Sequence, residues 1–256
     1  MEKIHSIYFV GLIVIGLIST YILILLPHGI PNPMLEKTFF LFGLALNTII
    51  LLWSIGGYLL HRWIKTGKEN LSLISWSVSF FIYSITFIAH LFRALGFSAA
   101  NENSSVFHFF LYRWGMILWA AGILYGLLNI LTENRRYQIL PSLLTLIFGF
   151  TWLFLGLFII PSRNPIEFTM YLFLQTIWIP VCFTMTYIFA YYGYKTKENG
   201  PKLVALGFLG IMISYYGWAP WHFEDVIYIY FIWYFIFLLS LTPVLLGFIV
   251  MTLEEK

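Results

Sequence analysis

Residues 226–251 read V-I-Y-I-Y-F-I-W-Y-F-I-F-L-L-S-L-T-P-V-L-L-G-F-I-V-M, without one charged side chain. As an α-helix this stretch would be roughly 39 Å long at 1.5 Å per residue. That exceeds the hydrocarbon core of a bilayer, about 30 Å thick. Polar and apolar residues do not alternate along it, which excludes a barrel strand. In lipid the α-helix is then the structure that satisfies every backbone donor and acceptor. Seven more segments of this kind can be marked, at 6–27, 37–61, 72–97, 107–131, 139–161, 167–193 and 202–219. The first is too long in its apolar run for a signal peptide and no small-x-small cleavage site follows it, so it reads as a retained helix. The predicted fold class is an all-α integral membrane protein with eight transmembrane helices.

Composition agrees. Of 256 residues, 61% are hydrophobic, 21% aromatic and only 10% charged, with a mean hydropathy of +0.87. Soluble domains carry about 25% charged residues, so a soluble single domain, a disordered chain and a nucleic-acid binder are excluded. Membrane lipid is the surrounding partner. The single cysteine, Cys182, cannot form an intrachain disulfide.

The net charge of +3 matters less than where the charges lie. One set of loops holds Lys3, Arg62, Lys65, Lys68, Arg135, Arg136, Lys195, Lys197, Lys202 and Lys256; the other side holds Lys37, Arg93, Arg113 and Arg163. The sets alternate correctly across eight spans. The positive-inside rule then places both termini in the cytoplasm.

The chain also resembles itself. Residues 25–42 read L-L-P-H-G-I-P-N-P-M-L-E-K-T-F-F-L-F, and residues 159–173 read I-I-P-S-R-N-P-I-E-F-T-M-Y-L-F. Glu36-x-Thr38-x-x-Leu41-Phe42 matches Glu167-x-Thr169-x-x-Leu172-Phe173 without a gap. At the other end of the same helices, Lys65-Thr66-Gly67-Lys68-Glu69-Asn70 matches Lys195-Thr196-Lys197-Glu198-Asn199, with one residue deleted. Two matches in register predict two four-helix repeats, 1–134 and 137–256. An even number of spans makes them parallel, related by an axis along the membrane normal. Glu36 and Glu167 would favour the N-termini of their helices electrostatically. Pro180 and Pro243 fall inside predicted helices and should kink them.

All eleven acidic residues fall in loops or at helix ends. Proton and cation pathways usually use an intramembrane carboxylate, so a carboxylate-based pump or sodium symporter is disfavoured. The last helix has no lysine for a retinal Schiff base. Cationic and polar side chains gather instead towards the outer ends. His90 and Arg93 lie on the third helix, Tyr112 and Arg113 on the fourth, and His222 after the seventh. Asn47 and Gln175 lie roughly 12–15 Å deep by helical rise. His90 and Arg93, at i and i+3, share a helix face and should point inward. Asn47 and Gln175 are the expected neutral partners, and Glu102, Glu224 and Asp225 could reach them from the loops.

This pattern predicts an outward-facing cavity for a small organic or lipid-soluble ligand, in a transporter, a membrane-embedded sensor or a partner subunit. With no cytoplasmic effector domain in view, a sensor would signal through other membrane subunits. The alternative is a membrane subunit of a redox complex, in which His90 and His222 hold haem iron or the outer donors hold a quinone. No H-x-x-x-H or C-x-x-C spacing assigns a metal, and no cofactor is assigned.

Residues 164–175, N-P-I-E-F-T-M-Y-L-F-L-Q, are similar over about a dozen positions to the Pro-x-Glu-Glu helix start of membrane carotenoid cyclases of the lycopene type. Phe168 stands where the second glutamate would be, and four-helix repeats depart from that family's organisation. The resemblance implies a second alternative, an intramembrane enzyme acting on an isoprenoid or carotenoid lipid; in that family an acidic residue protonates a polyene, and no catalytic residue is assigned in this chain. Catalytic triads, D-x-x-D motifs, phosphate loops and H-E-x-x-H are absent from the sequence, and the non-enzymatic reading is preferred.

Overall fold

The computed structural model describes residues 33–94, 106–158, 174–218 and 227–254. These form seven α-helices and no strand. They are α1 (Pro33–Lys65), α2 (Leu71–Ala94), α3 (Val106–Leu131), α4 (Arg135–Phe158), α5 (Ile179–Thr196), α6 (Asn199–Trp218) and α7 (Ile227–Glu254). Five carry windows long and apolar enough to cross a membrane: Phe42–Lys65, Leu71–Ile88, Trp114–Leu131, Arg135–Leu155 and Ile232–Leu253. The chain is therefore a multi-pass helical membrane protein. The segment expected at 6–27, most of the loops expected on the outer side, and His222 lie outside the described residues.

Consecutive helices pack as antiparallel neighbours, α1 on α2, α2 on α3, α3 on α4, then α5 on α6 and α6 on α7. Helix α7 returns to pack on α1 and closes the bundle, while α3 also touches α5. Burial follows this order. In α1, 72% of the spanning window is buried, against 28% in α4, which is the edge helix among the described residues.

The turns have clear local causes. After α1, Gly67 takes φ +75° and Lys68 φ +65°. The Lys68 amide donates to the Trp63 carbonyl at 3.0 Å, a Schellman closure with glycine in its usual left-handed place. Trp63 Nε1 donates to the Lys68 carbonyl at 3.1 Å, and the Lys68 ammonium lies 5.9 Å from the Trp63 ring. Asn70 Oδ1 accepts from the amides of Ser72 (3.0 Å) and Leu73 (3.3 Å), capping α2. After α5, Lys197 again takes φ +65°.

Lipid tails give helices no hydrophobic reason to associate, so small residues and polar glue do much of the holding. Helix α2 supplies the glue. Ser77 Oγ donates to the Gly56 carbonyl and Ser75 Oγ to the Gly122 carbonyl, each at 2.7 Å. Trp76 Nε1 donates to the Ile123 carbonyl at 2.9 Å, and Trp53 Nε1 to Ser84 Oγ at 2.7 Å. The α6–α7 pair uses glycine instead. A methyl built on Gly247 would stand 2.7 Å from both the Gly200 carbonyl oxygen and the Val204 amide nitrogen, so the two backbones touch.

One of the two prolines expected inside helices is placed differently. Pro243 is inside α7, as is Pro141 inside α4. Pro180 instead sits in the first turn of α5, directly after a π-helical turn at Leu174–Trp178. The missing N–H of Pro180 cannot continue an α-helical ladder backwards, and the wider turn stands where that ladder would have run.

Cys182 is fully buried among the core residues of α5. A maleimide should therefore leave the folded protein unmodified in detergent and label it only after denaturation. Stoichiometric labelling without loss of helical circular dichroism would contradict this packing.

Candidate functional site

Aromatic residues at Phe80, Tyr83 and Phe87 recur at i, i+3 and i+7 along α2, and all are fully buried. They meet Trp119 of α3, Trp178 at the end of the π turn, and Tyr234 and Phe237 of α7. The Trp119 and Trp178 rings stack with centroids 4.5 Å apart. Tyr83 lies 5.0 Å from Trp119 and 5.7 Å from Trp178. Phe87 stacks on Phe237 at 5.5 Å and meets Tyr234 edge-on at 5.9 Å. Phe208 completes the ring at 6.2 Å from Trp119. This hub ties α2 and α3 to the later helices α6 and α7. A second trio, Trp76, Phe189 and Phe248, packs towards the turn-bearing end at 5.5–6.4 Å.

Two donors in this core are left over. Trp119 Nε1 and Thr86 Oγ1 are buried and have no hydrogen-bond partner. A threonine in a helix ordinarily bonds the carbonyl four residues back, as Thr48 does to Leu44 at 2.8 Å; Thr86 does not. An unpaired buried donor costs about 1–3 kcal/mol.

Several of the sequence-predicted residues share helices with this layer. His90 follows Phe87 by three positions and Tyr83 by seven, and Arg93 follows Thr86 by seven. The positions preceding both on their helix faces are fully buried. Tyr112 precedes Met116 and Trp119 in the same way, and Arg113 precedes Ala120. Gln175 lies in the π turn, three positions before Trp178. The side chains of His90, Arg93, Tyr112, Arg113 and Gln175 fall outside the described residues, and so does the whole of His222. Asn47 is described: it is 7% exposed, and its Nδ2 donates to the Gly43 carbonyl at 2.7 Å. One of its two N–H donors is thus used within α1.

Sequence reasoning had not singled out Trp119, Trp178, Tyr83 or Thr86. The aromatic spacing along α2 was the available signal. Nothing in the sequence marks which buried hydroxyl or indole lacks an acceptor. Among the described residues, no three His, Cys, Asp or Glu side chains gather closely enough to hold a metal ion. No known protein family matches the chain, and no curated protein or solved structure matches it either.

Proposed function

We propose that this protein recognises a small organic or lipidic ligand in an outward-facing cavity whose floor is the aromatic hub. The observation that carries the reading is the pair of unpaired donors, Trp119 Nε1 and Thr86 Oγ1: Thr86 precedes His90 and Arg93 by about one and two turns on α2, and Trp119 follows Tyr112 and Arg113 by about two turns on α3. A ligand with acceptor oxygens and an apolar or aromatic body would use both features. Such a site needs few polar groups on an apolar wall. Recognition is favoured over passage because rings of α2, α3, the π turn and α7 pack against one another across the bundle. Transport would require the Trp119–Trp178 stack to part.

The proposed frame is eight spans in two parallel four-helix repeats, with both termini cytoplasmic. The orientation rests on the charge asymmetry of the loops. The repeat is supported by the two matching turns: Lys68 and Lys197, aligned by sequence, share φ +65°. It is also supported by the parallel packing orders α1–α2–α3 and α5–α6–α7.

Cysteine accessibility in whole cells tests cavity and orientation together, since the native Cys182 is buried. A cationic, membrane-impermeant methanethiosulfonate should modify His90→Cys from outside. It should not modify Leu46→Cys, which is exposed on the outer surface of α1 where lipid would cover it. An unreactive His90→Cys beside a reactive Leu46→Cys would remove the cavity. Reaction at His90→Cys in inverted vesicles alone would reverse the orientation.

A further inference from the structure

A groove of about 310 Å³ runs between α3 and α4, away from the hub. Leu118, the small Ala121, Gly122 and Tyr125 of α3 line one side, and Ile139, Leu143 and Leu146 of α4 form the other wall. Tyr125 and Ile139 are the lining residues nearest the 132–134 turn. The Ser142 hydroxyl in the lining donates to the Gln138 carbonyl at 3.4 Å, so it asks for no acceptor from an occupant. The groove is therefore suited to hydrocarbon. It lies on the edge helix, whose Leu140, Leu144, Ile147 and Phe148 are exposed beside it and would face lipid.

What distinguishes the groove from ordinary lipid-facing surface is its end. Arg135 and Arg136 are both exposed. They precede Ile139 by four and three residues, so they share its helix face. A hydrocarbon channel thus starts one turn from two guanidinium groups. Basic residues at the ends of membrane helices attract anionic lipid at about 1 kcal/mol per charge, and basic pockets between such helices hold lipid headgroups. Guanidinium also matches phosphate oxygens in a bidentate manner.

We propose that this groove seats one acyl chain of an anionic phospholipid, with the lipid phosphate held by Arg135 and Arg136. The proposal rests on the membrane-spanning fold and not on the outer cavity. The full chain, released from detergent, can be weighed by native mass spectrometry after adding phosphatidylglycerol or phosphatidylcholine with the same chains. One phosphatidylglycerol should stay bound per chain. The double variant Arg135→Gln/Arg136→Gln should weaken its retention roughly 30-fold, about fivefold for each charge. Leu143→Trp, at an exposed position, should block the groove and abolish retention of either lipid. Shielding of Cys182 reports that each variant is folded, and the surface arginine variant decides the matter if Leu143→Trp is not. Equal retention of the two lipids, or retention that survives both changes, overturns the proposal. So does a mass of two chains that Leu143→Trp separates, which would give the groove to a second copy.

Discussion

Gly247→Ala should lower the unfolding free energy by about 3 kcal/mol, the upper part of the range for overpacking a filled interior. The new methyl would stand 2.7 Å from two backbone atoms of α6, and backbone cannot turn aside as a side-chain tip can. Helices α6 and α7 would have to separate along their whole contact. Gly57→Ala is the matched control. Nothing lies within 4 Å of a methyl at that position, and in a helix interior alanine is favoured over glycine by about 0.5–1 kcal/mol. Equilibrium unfolding in mixed micelles should therefore separate the two variants by roughly 4 kcal/mol in opposite directions. Equal effects would show that α6 and α7 do not meet backbone to backbone.

Trp119→Ala should cost about 3–5 kcal/mol, as for other aromatic truncations in packed cores. It would remove the stack on Trp178 and the contacts with Tyr83, Phe80 and Phe208. Trp119→Phe should behave very differently. It keeps a ring and deletes an N–H that has no acceptor. The relief of that donor, about 1–3 kcal/mol, offsets the smaller ring and weaker stacking, the latter about 0.5–1.5 kcal/mol. The expected net change is within about 1 kcal/mol. The same variant should weaken a ligand that accepts from the indole, so stability and binding would move apart. A Trp119→Phe as damaging as Trp119→Ala would mean that the indole N–H has an acceptor after all.

The class of fold was legible because lipid imposes one rule along the whole length: a long uncharged run must be a helix. The run at 226–251 became α7, with ends within three residues of those read from the sequence. The start of α4 was read too late, because Arg135 and Arg136 look like loop residues while an arginine in the first turn is compatible with a helix. The π turn before Pro180 was not legible. Proline announces a break but not which ladder replaces it. For the site, the depth of Asn47 was readable from helical rise, yet its use by Gly43 depends on a local rotamer. The hub was hidden for a different reason. In a chain this rich in rings, a buried Trp119 and a surface-exposed Trp53 look alike until neighbouring helices are placed.

The hub also has a history during synthesis. Its rings come from α2, α3, the π turn, α6 and α7, so Tyr83 and Phe87 leave the ribosome long before Phe237, the residue that closes over them. At translation speeds of about 5–20 residues per second, the wait is on the order of ten seconds. During that time α2 lies in the bilayer with its aromatic face against lipid or against the insertion machinery. Its serines can pair with the carbonyls of α1 and α3 as those helices arrive. The early half can thus be stapled by hydroxyls while its rings remain open, and the nascent chain becomes a finished core only when its late helix docks.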